Sequence, residues 1–145
     1  MILSACIFDL DGVIVDTAKY HYLAWKRLAD EMGFHFSEEH NERLKGVSRM
    51  DSLEILLSVG GITKTDEEKE ILATRKNNWY VEYISDVNPS EILPGALELL
   101  EYLKTKNIKI ALGSASKNAR AILKGIQLES RFDSIVDGTR IAKAR

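Results

Sequence analysis

Two carboxylates, Asp9 and Asp11, stand two positions apart directly before Gly12. One carboxylate of such a pair can attack an electrophilic phosphorus atom, while the other carries a proton to and from the substrate oxygen. A divalent cation such as Mg²⁺ would be needed beside them, because a carboxylate that attacks a phosphate dianion meets like charge. The alternative is that both carboxylates only solvate the end of a strand. Their position after an apolar run favours phosphoryl-transfer chemistry.

A second polar segment, residues 113–117, has the sequence Gly-Ser-Ala-Ser-Lys. It follows an apolar run and precedes a helical pattern, so hydroxyl groups, free backbone N–H groups and one ammonium group can converge on an anion. The alternative is an ordinary serine N-cap beside a solvated lysine. Together with the acidic pair at a neighbouring strand end, this segment predicts a site for a phosphoryl group.

The elements that position these residues alternate between strand and helix patterns. Short apolar runs predict strands, the first of them covered on both faces, at residues 3–8, 108–112 and 132–136. Apolar residues at steps of three or four, together with capping residues, predict four consecutive helices that begin after Thr17, at Ser37, at Ser48 and at Thr65 and end at Gly33, Gly46, Gly60 and about Ser85. Two further helices are predicted from Pro94-Gly95 and over residues 117–126. Strands that alternate with helices on either side of a helical block predict a parallel α/β core with a helical insertion.

We divide the chain into three segments. Residues 1–15 form the first strand and its loop, residues 16–88 form a helical cap domain, and residues 89–145 continue the core. Because the insertion follows the first strand, we expect it to act as a lid at the carboxyl end of that strand.

The composition excludes several classes of protein. The chain has 145 residues, 45% of them hydrophobic and 29% charged, which suits one core and excludes a disordered chain. Its 20 basic and 22 acidic residues leave a net charge of −2, so we expect no nucleic acid and no membrane as partner. The single cysteine, Cys6, excludes an internal disulfide, and we expect it to be buried and inert. The absence of a secretory signal predicts a cytoplasmic protein.

The motifs together resemble the haloacid dehalogenase superfamily of phosphotransferases. The resemblance begins with the run from Phe8 to Thr17, continues through the helical insertion and ends with the loop at 114–118. The runs 44–49, 51–53, 75–77 and 110–118 resemble the sugar-phosphate mutases of that superfamily. The resemblance implies an α/β fold: a Rossmann-like parallel-sheet core, whose C-terminal part is missing from this chain, with an inserted four-helix-bundle cap domain.

The resemblance also implies a role for each matching residue. Asp9 would be the nucleophile that forms an aspartyl phosphate, and Asp11 would be the general acid and base. A side-chain oxygen of Asp9 and the main-chain carbonyl of Asp11 would hold Mg²⁺. Arg49 would bind the second phosphate of a bisphosphate through its guanidinium fork. The other residues implied to bind substrate or to position Asp11 are Thr17, His21, Lys45, Gly46, Val47, Ser52, Lys76, Ser114, Ala115, Ser116, Lys117 and Asn118.

Some of these residues also have simpler explanations. His21 lies four positions before Trp25 on one helical stripe, where a packed histidine is more common than a catalytic one. Arg49 could be solvated beside a helix N-cap, and Lys76 could pair with a carboxylate one helical turn away. We expect Trp25 and Trp79 to pack between helices of the cap domain.

The implied reaction interconverts β-glucose 1-phosphate and glucose 6-phosphate through a 1,6-bisphosphate and an aspartyl-phosphate enzyme. Two alternatives stay open: a sugar-phosphate phosphatase with the same nucleophile, and a catalytically silent phosphate-binding fragment.

In the superfamily the core continues with a third-motif lysine and an acidic metal-binding pair, and Lys143 lacks the Lys-Pro context of that lysine. We therefore expect a truncated chain with an uncovered apolar sheet face that can self-associate, and a monomeric full-length form.

Overall fold

The computed structural model of the protein describes residues 2–140. Its strands are Ala5–Phe8 (β1), Lys109–Gly113 (β2) and Ser134–Val136 (β3). Its α-helices are Ala18–Met32 (α1), Glu38–Glu42 (α2), Arg49–Gly60 (α3), Asp66–Ile84 (α4), Ala96–Thr105 (α5) and Ala119–Gly125 (α6). Short 3₁₀ helices lie at Pro89–Glu91, Glu129–Arg131 and Gly138–Arg140. Lys143 lies outside the described residues.

The described chain divides into two compact units. Residues 2–17 and 84–140 form the α/β unit, which holds the three strands with α5 and α6. Residues 18–83 form the helical unit, which holds α1, α2, α3 and nearly all of α4. The helical unit is therefore an insertion between β1 and the rest of the α/β unit.

The sheet of the α/β unit is parallel throughout, with the strand order β1-β2-β3. In its register Phe8 pairs with Leu112, and Leu112 pairs with Ile135. The carboxyl ends of all three strands consequently lie along one edge of the sheet, and the residues that follow each strand emerge there. This edge carries the acidic pair predicted from the sequence.

One face of the sheet is buried and the other is open. Phe8 is 8% exposed on the covered face, where its ring packs edge-on against Phe132, whereas the neighbouring Ile7 is 80% exposed. The prediction that β1 is covered on both faces is therefore wrong, and Cys6 is only partly buried. The physical reason is that two successive right-handed crossovers in the order β1-β2-β3 carry their helices to the same side of the sheet. The expected uncovered apolar face is present, and Val136 extends it.

Several predicted boundaries shift by a few residues. β1 begins at Ala5 instead of residue 3, and α6 begins at Ala119 because the preceding loop folds on its own hydroxyl groups. The second helix ends at Glu42, well before Gly46, because residues 43–46 form turns. Its N-terminus is closed by a capping box between Ser37 and His40.

The helical unit has its own apolar core. Its largest fully buried side chains come from α1, α3, α4 and the link after α1; they are Leu28, Phe36, Leu53, Leu56 and Tyr80. Trp25 and Trp79 are buried here, as expected. Within residues 2–140, no helix combines the length and the apolar character that crossing a membrane requires.

Candidate active site

The acidic loop after β1 is held in a tight backbone turn. The N–H groups of residues 13, 14 and 15 all donate to the carbonyl oxygen of Leu10, at 3.3, 2.9 and 3.2 Å. Gly12 adopts a φ of +79°, which a residue with a side chain adopts at a cost, and its N–H donates to the Val15 carbonyl at 2.7 Å. The Leu10 side chain is fully buried, so the loop is anchored between its two aspartates.

The two aspartates have different environments within this loop. Asp9 is exposed, and its Oδ1 accepts a hydrogen bond from the Leu10 N–H at 2.7 Å, which leaves Oδ2 for other partners. The Oδ1 atom of Asp11 is buried and has no hydrogen-bond partner among the described residues. Burial, followed by the negative charges of Asp9 and Asp16, raises the pKa of Asp11 to about 6. A carboxyl group with this pKa can exchange a proton near neutral pH, as a general acid and base must.

The phosphate loop, residues 113–118, follows β2 and uses its serine hydroxyls to bind its own backbone. The Ser114 Oγ accepts from the Ser116 N–H, and the Ser116 Oγ accepts from the Asn118 N–H, both at 3.1 Å. The Ser114 N–H donates to the Val136 carbonyl at 2.9 Å. The prediction that the backbone N–H groups of residues 113–117 are free is therefore wrong for residues 114 and 116.

Two backbone N–H groups of this loop remain available. No hydrogen bond within the described chain uses the N–H of Ala115 or of Lys117, and both residues are exposed. The hydroxyl protons of Ser114 and Ser116 can also be donated, since each oxygen accepts from a backbone group. The loop thus retains donors suited to the oxygens of a phosphoryl group.

The sheet register brings the acidic loop and the phosphate loop together. Because Phe8 pairs with Leu112, Asp9 and Gly113 leave adjacent strands at the same level, about 4.8 Å apart in a typical sheet. A third aspartate, Asp137, leaves β3 at this edge and was missed by the sequence analysis. Its signal was available, since Asp137-Gly138 after an apolar run repeats the pattern of the first strand.

In the helical unit, His21 of α1 and Lys76 of α4 are in direct contact. The Nζ atom of Lys76 lies 2.8 Å from Nδ1 of His21, and the Lys76 residue is only 2% exposed. The ammonium group also lies 4.6 Å from the Trp25 ring centre and 4.9 Å from that of Tyr80, on which His21 stacks at 3.9 Å. The alternative in which Lys76 pairs with a carboxylate one turn away is therefore wrong, whereas His21 is packed and hydrogen-bonded as its simpler explanation required.

Arg49 adds a third basic group to this cluster. Burial and the charge of Arg49 lower the pKa of Lys76 to about 7. Burial, then the charges of Lys76 and Arg49, hold the pKa of His21 well below its ordinary value, and burial lowers the pKa of Arg49. Within residues 2–140, no carboxylate forms an ion pair with Arg49 or Lys76. We call His21, Arg49 and Lys76 the basic cluster; its electrostatics favour an anion as ligand.

The remaining predicted residues of the helical unit lie around the N-terminus of α3. Gly46 adopts a φ of +72° in the turn before that helix, and Ser52, which is buried, donates from its Oγ to the Val47 carbonyl at 3.5 Å. Lys45 is exposed and pairs with Glu42 at 2.8 Å. These residues lie close to Arg49 in sequence, and no hydrogen bond within the described chain joins their side chains to His21 or Lys76.

The predicted site residues thus fall into two groups, one in each unit. The α/β unit holds Asp9, Asp11, Thr17, Ser114, Ala115, Ser116, Lys117 and Asn118. The helical unit holds His21, Lys45, Gly46, Val47, Arg49, Ser52 and Lys76. Thr17 is fully buried at the end of its segment, and its hydroxyl has no partner within the described chain.

The donors for Mg²⁺ form only part of a ligand set. A carboxylate oxygen of Asp9 and the Asp11 carbonyl are hard oxygen donors of the kind Mg²⁺ prefers, but the ion takes about six oxygens. Among residues 2–140 there is no cluster of three or more histidine, cysteine or acidic side chains suited to a metal. The carboxylate of Asp137 accepts from the N–H and the hydroxyl of Thr139 instead. The described residues therefore fit the ion only in part.

Comparison with known proteins identifies the relatives of this chain. The haloacid dehalogenase-like hydrolase family model matches residues 6–145. The β-phosphoglucomutase of Bacillus subtilis (strain 168) is 50% identical over 145 residues, which cover 99% of this chain and 64% of that protein. A phosphorylated carbohydrates phosphatase of Thermotoga maritima is 30% identical over 146 residues, covering 99% and 65%. The crystal structure of a β-phosphoglucomutase from Clostridium difficile matches with a TM-score of 0.90 and 45% identity, covering 98% and 65%.

This chain therefore spans slightly less than two thirds of the length of these relatives. The family match covers nearly all of the sequence, and the structural match reproduces the parallel α/β architecture. The superfamily resemblance inferred from the motifs is confirmed. This chain belongs to the haloacid dehalogenase-like hydrolase family.

Proposed function

We propose that the chain carries out the chemistry of a β-phosphoglucomutase, interconverting β-glucose 1-phosphate and glucose 6-phosphate through β-glucose 1,6-bisphosphate. The observation that carries the proposal is the edge of the sheet where Asp9, Asp11 and the donors of the phosphate loop lie together. The 50% identity with the Bacillus subtilis β-phosphoglucomutase supports the choice of substrate.

Asp9 is the nucleophile of this proposal. Its free Oδ2 forms a bond to phosphorus as the bond between phosphorus and the sugar oxygen breaks, which gives an aspartyl phosphate. Asp11, whose pKa of about 6 lets it bind and release a proton near neutral pH, donates its proton to the leaving sugar oxygen. In the return step its carboxylate takes the proton from the hydroxyl that attacks the aspartyl phosphate.

The phosphate loop holds the transferring group. The N–H groups of Ala115 and Lys117, the Ser114 hydroxyl and the Lys117 ammonium group donate to its three equatorial oxygens, where negative charge increases in the transition state. Ser116 and Asn118 stabilise the loop through their mutual hydrogen bond. Donors that are already in position need no reorganisation during the reaction.

The basic cluster and the residues near it bind the rest of the sugar phosphate. Arg49 binds the second phosphate of the bisphosphate, since its guanidinium group is part-buried and has no ion-pair partner in the described chain. His21, Lys76 and Thr17 position Asp11. The sugar phosphate is further bound by the residues around the N-terminus of α3, namely Lys45, Gly46, Val47 and Ser52.

Mg²⁺ is the proposed cofactor. Asp9 Oδ1, the carboxylate oxygen that does not attack phosphorus, and the Asp11 carbonyl would hold it together with groups that the described chain does not supply. When bound, the ion supplies positive charge that reduces the repulsion between the nucleophile and the phosphate. The cap-domain limits 16–88, a cytoplasmic location and a monomeric full-length form are parts of the same proposal.

A sugar-phosphate phosphatase is the second candidate. It is favoured by the relative from Thermotoga maritima, whose name is phosphorylated carbohydrates phosphatase. The two functions share the aspartyl phosphate and differ only in whether a sugar hydroxyl or water accepts the phosphoryl group.

The deciding experiment supplies β-glucose 1-phosphate with Mg²⁺, with and without glucose 1,6-bisphosphate, and measures glucose 6-phosphate and inorganic phosphate in the same sample. Formation of glucose 6-phosphate that depends on the bisphosphate supports the mutase. Release of inorganic phosphate without the bisphosphate supports the phosphatase. Binding of the bisphosphate in a calorimetric titration without either product identifies a silent phosphate-binding protein.

A matched pair of variants tests the nucleophile. Asp9→Asn removes the attacking oxygen and should abolish formation of the aspartyl phosphate, detected by mass spectrometry after rapid acid quench. Asp16→Asn changes an exposed carboxylate of the same segment and should leave phosphoenzyme formation intact. Equal phosphoenzyme levels in wild type and Asp9→Asn would disprove the assignment.

A further inference from the structure

The turn that follows β3 is hydrogen-bonded to the phosphate loop on two sides. The Ser114 N–H donates to the Val136 carbonyl at 2.9 Å, directly before the turn. The Gly138 N–H donates to the Ser116 carbonyl at 3.0 Å, within the turn. The phosphate loop is therefore tied to the end of β3 as well as to its own strand.

Gly138 has no space for a side chain. A Cβ atom at this position would overlap the Ala115 carbonyl oxygen and would lie 2.9 Å from the Lys117 backbone nitrogen. The φ of Gly138 is not positive, unlike that of Gly12, so the requirement for glycine here comes from close packing and not from an unusual backbone conformation. Both groups that a side chain would displace are backbone atoms of the phosphate loop.

The turn itself is braced by the buried carboxylate of Asp137. The N–H of Thr139 donates to Asp137 Oδ1 at 3.0 Å, and the Thr139 hydroxyl donates to the same oxygen. Oδ2 of Asp137 lies 3.7 Å from Nε of Arg120, on the helix that follows the phosphate loop. The Arg120 guanidinium also donates to the Ile135 carbonyl at 3.4 Å. These contacts limit how far the turn can move away from the loop.

We infer that the Asp137-Gly138 turn positions the phosphate loop, and that Gly138 is a positioning residue which sets the directions of the free Ala115 and Lys117 N–H groups. The inference rests on the proposed function, because it assigns those two N–H groups to a phosphoryl group. It extends the proposed function by adding Asp137 and Gly138, which belong to neither group of predicted site residues. Asp137 and Gly138 touch no substrate in this scheme and act through the loop.

The central test is Gly138→Ala, measured as the affinity for inorganic phosphate in a calorimetric titration. The added methyl group must displace the Ala115 carbonyl or the Lys117 nitrogen, so we expect phosphate affinity to fall by about tenfold or more, the size of one lost hydrogen bond to a charged group. In ¹⁵N-resolved NMR spectra, phosphate should shift the Ala115 and Lys117 amide signals in the wild type and shift them less in the variant.

Gly125→Ala is the matched control in the same unit. A Cβ atom at Gly125 would lie 2.7 Å from Val87 Cγ2 and 2.9 Å from the Val87 carbonyl oxygen, a smaller overlap that involves no residue of the phosphate loop. This variant should lose stability in urea unfolding but bind phosphate with the wild-type affinity. The comparison separates a positioning role from a general loss of stability.

Thr139→Val provides a second variant if Gly138→Ala does not fold. It removes the hydroxyl donor to Asp137 with little change of shape, and it should weaken phosphate binding by about twofold to fivefold. Wild-type phosphate affinity in both Gly138→Ala and Thr139→Val would overturn the inference while leaving the proposed function intact. Wild-type protein that neither binds phosphate nor turns over sugar phosphate would overturn both.

Discussion

Asp9 and Asp11 show how two identical side chains in one loop acquire different chemistry. Asp9 is exposed, with one oxygen bound by a backbone N–H, while a carboxylate oxygen of Asp11 is buried without a partner. Burial disfavours the charged form of Asp11, and the neighbouring carboxylates add repulsion, so its pKa rises to about 6. The raised pKa of Asp11 suits the proton donor of the proposed reaction, and the exposed carboxylate of Asp9 suits its proposed nucleophile.

The buried carboxylate of Asp11 should make stability depend on pH. Its folded-state pKa, about 6, lies above its ordinary value of 3.8, so the folded state binds the proton more tightly. This contribution to the free energy of unfolding is fully present below pH 4 and is lost as the pH rises through 6. Asp11→Asn should therefore be more stable than wild type at pH 8, by at most about 3 kcal/mol, with a smaller difference at pH 4.

Urea unfolding at the two pH values measures this difference. Asp86→Asn, at an exposed position of the same unit whose charge is not among those that raise the pKa of Asp11, should change the free energy of unfolding by no more than about 0.5 kcal/mol at either pH. An Asp11→Asn effect that is the same at pH 4 and pH 8 would contradict the assignment of the buried charge.

At the scale of elements, α1 and α4 hold the basic cluster by packing aromatic rings around a charged group. Lys76 lies among His21, Trp25 and Tyr80, and the nearby charge of Arg49 disfavours its ionised form further. A helix pair optimised for stability alone would place an apolar residue at this position, because a buried ammonium group loses its hydration. The retained lysine therefore favours a functional role for the cluster.

Lys76→Met should stabilise the helical unit at neutral pH. The folded-state pKa of Lys76, about 7, lies below its ordinary value of 10.5, so its unfavourable contribution is complete below pH 7 and disappears as the pH approaches 10.5. The variant should exceed wild type in free energy of unfolding by on the order of a few kcal/mol at pH 7 and by less at pH 10. Binding of the bisphosphate should weaken at the same time.

A control on the same helix distinguishes this effect from a general response to losing a lysine. Lys69 forms an ion pair with Glu54 at 2.6 Å, and that pairing raises its pKa. Lys69→Met should therefore destabilise the protein slightly and should not stabilise it. If both variants lower the free energy of unfolding at pH 7, the desolvation argument for Lys76 is wrong.

The N-terminus of α4 gives a second prediction at this scale. The Thr65 hydroxyl accepts from the Glu68 N–H at 3.2 Å and the Glu68 carboxylate accepts from the Thr65 N–H at 3.1 Å; this reciprocal capping box lies at the helix start predicted at Thr65. Thr65→Ala should lower the free energy of unfolding by about 1 kcal/mol, measured by urea unfolding. Thr63→Ala, at an exposed position outside the helix, should have almost no effect.

At the scale of the whole molecule, the decisive feature is a sheet with one covered face. Phe8 faces the core of the α/β unit and Ile7, its neighbour in sequence, faces away from it. Residues one position apart on a strand point to opposite faces, so these two report on the two sides of the same strand. Both side chains are apolar, but Phe8 is buried and Ile7 is exposed to solvent.

Substitution of these two residues should therefore have unequal effects. Phe8→Ala removes a buried ring that packs against Phe132 and should lower the free energy of unfolding by about 3 to 5 kcal/mol. Ile7→Ala removes an exposed side chain and should change it by about 0.5 kcal/mol or less. Chemical denaturation of both variants at one pH measures the contrast, and comparable losses would show that the open face is covered in solution.

Local signals in the sequence determined the order of the elements, the parallel sheet, the capping box of α4 and the acidic pair at the end of β1. These features depend on residues within about one helical turn of each other, or on an alternation of strand and helix patterns that permits few topologies. The family motif around Asp9 is local in the same sense. Sequence alone was therefore sufficient to locate this pair.

The tertiary structure decided which groups are buried, free or in contact. His21 and Lys76 are 55 positions apart, and no periodic pattern records that their nitrogens meet. The raised pKa of Asp11, the use of the serine hydroxyls as backbone acceptors and the close packing of Gly138 on the phosphate loop all arise from neighbours distant in sequence or from the shape of a turn. The apolar pattern of a strand predicts that the strand is buried, but the path of the connecting helices decides which of its faces is covered. For this reason the sequence wrongly predicted that the face of β1 that carries Ile7 is covered.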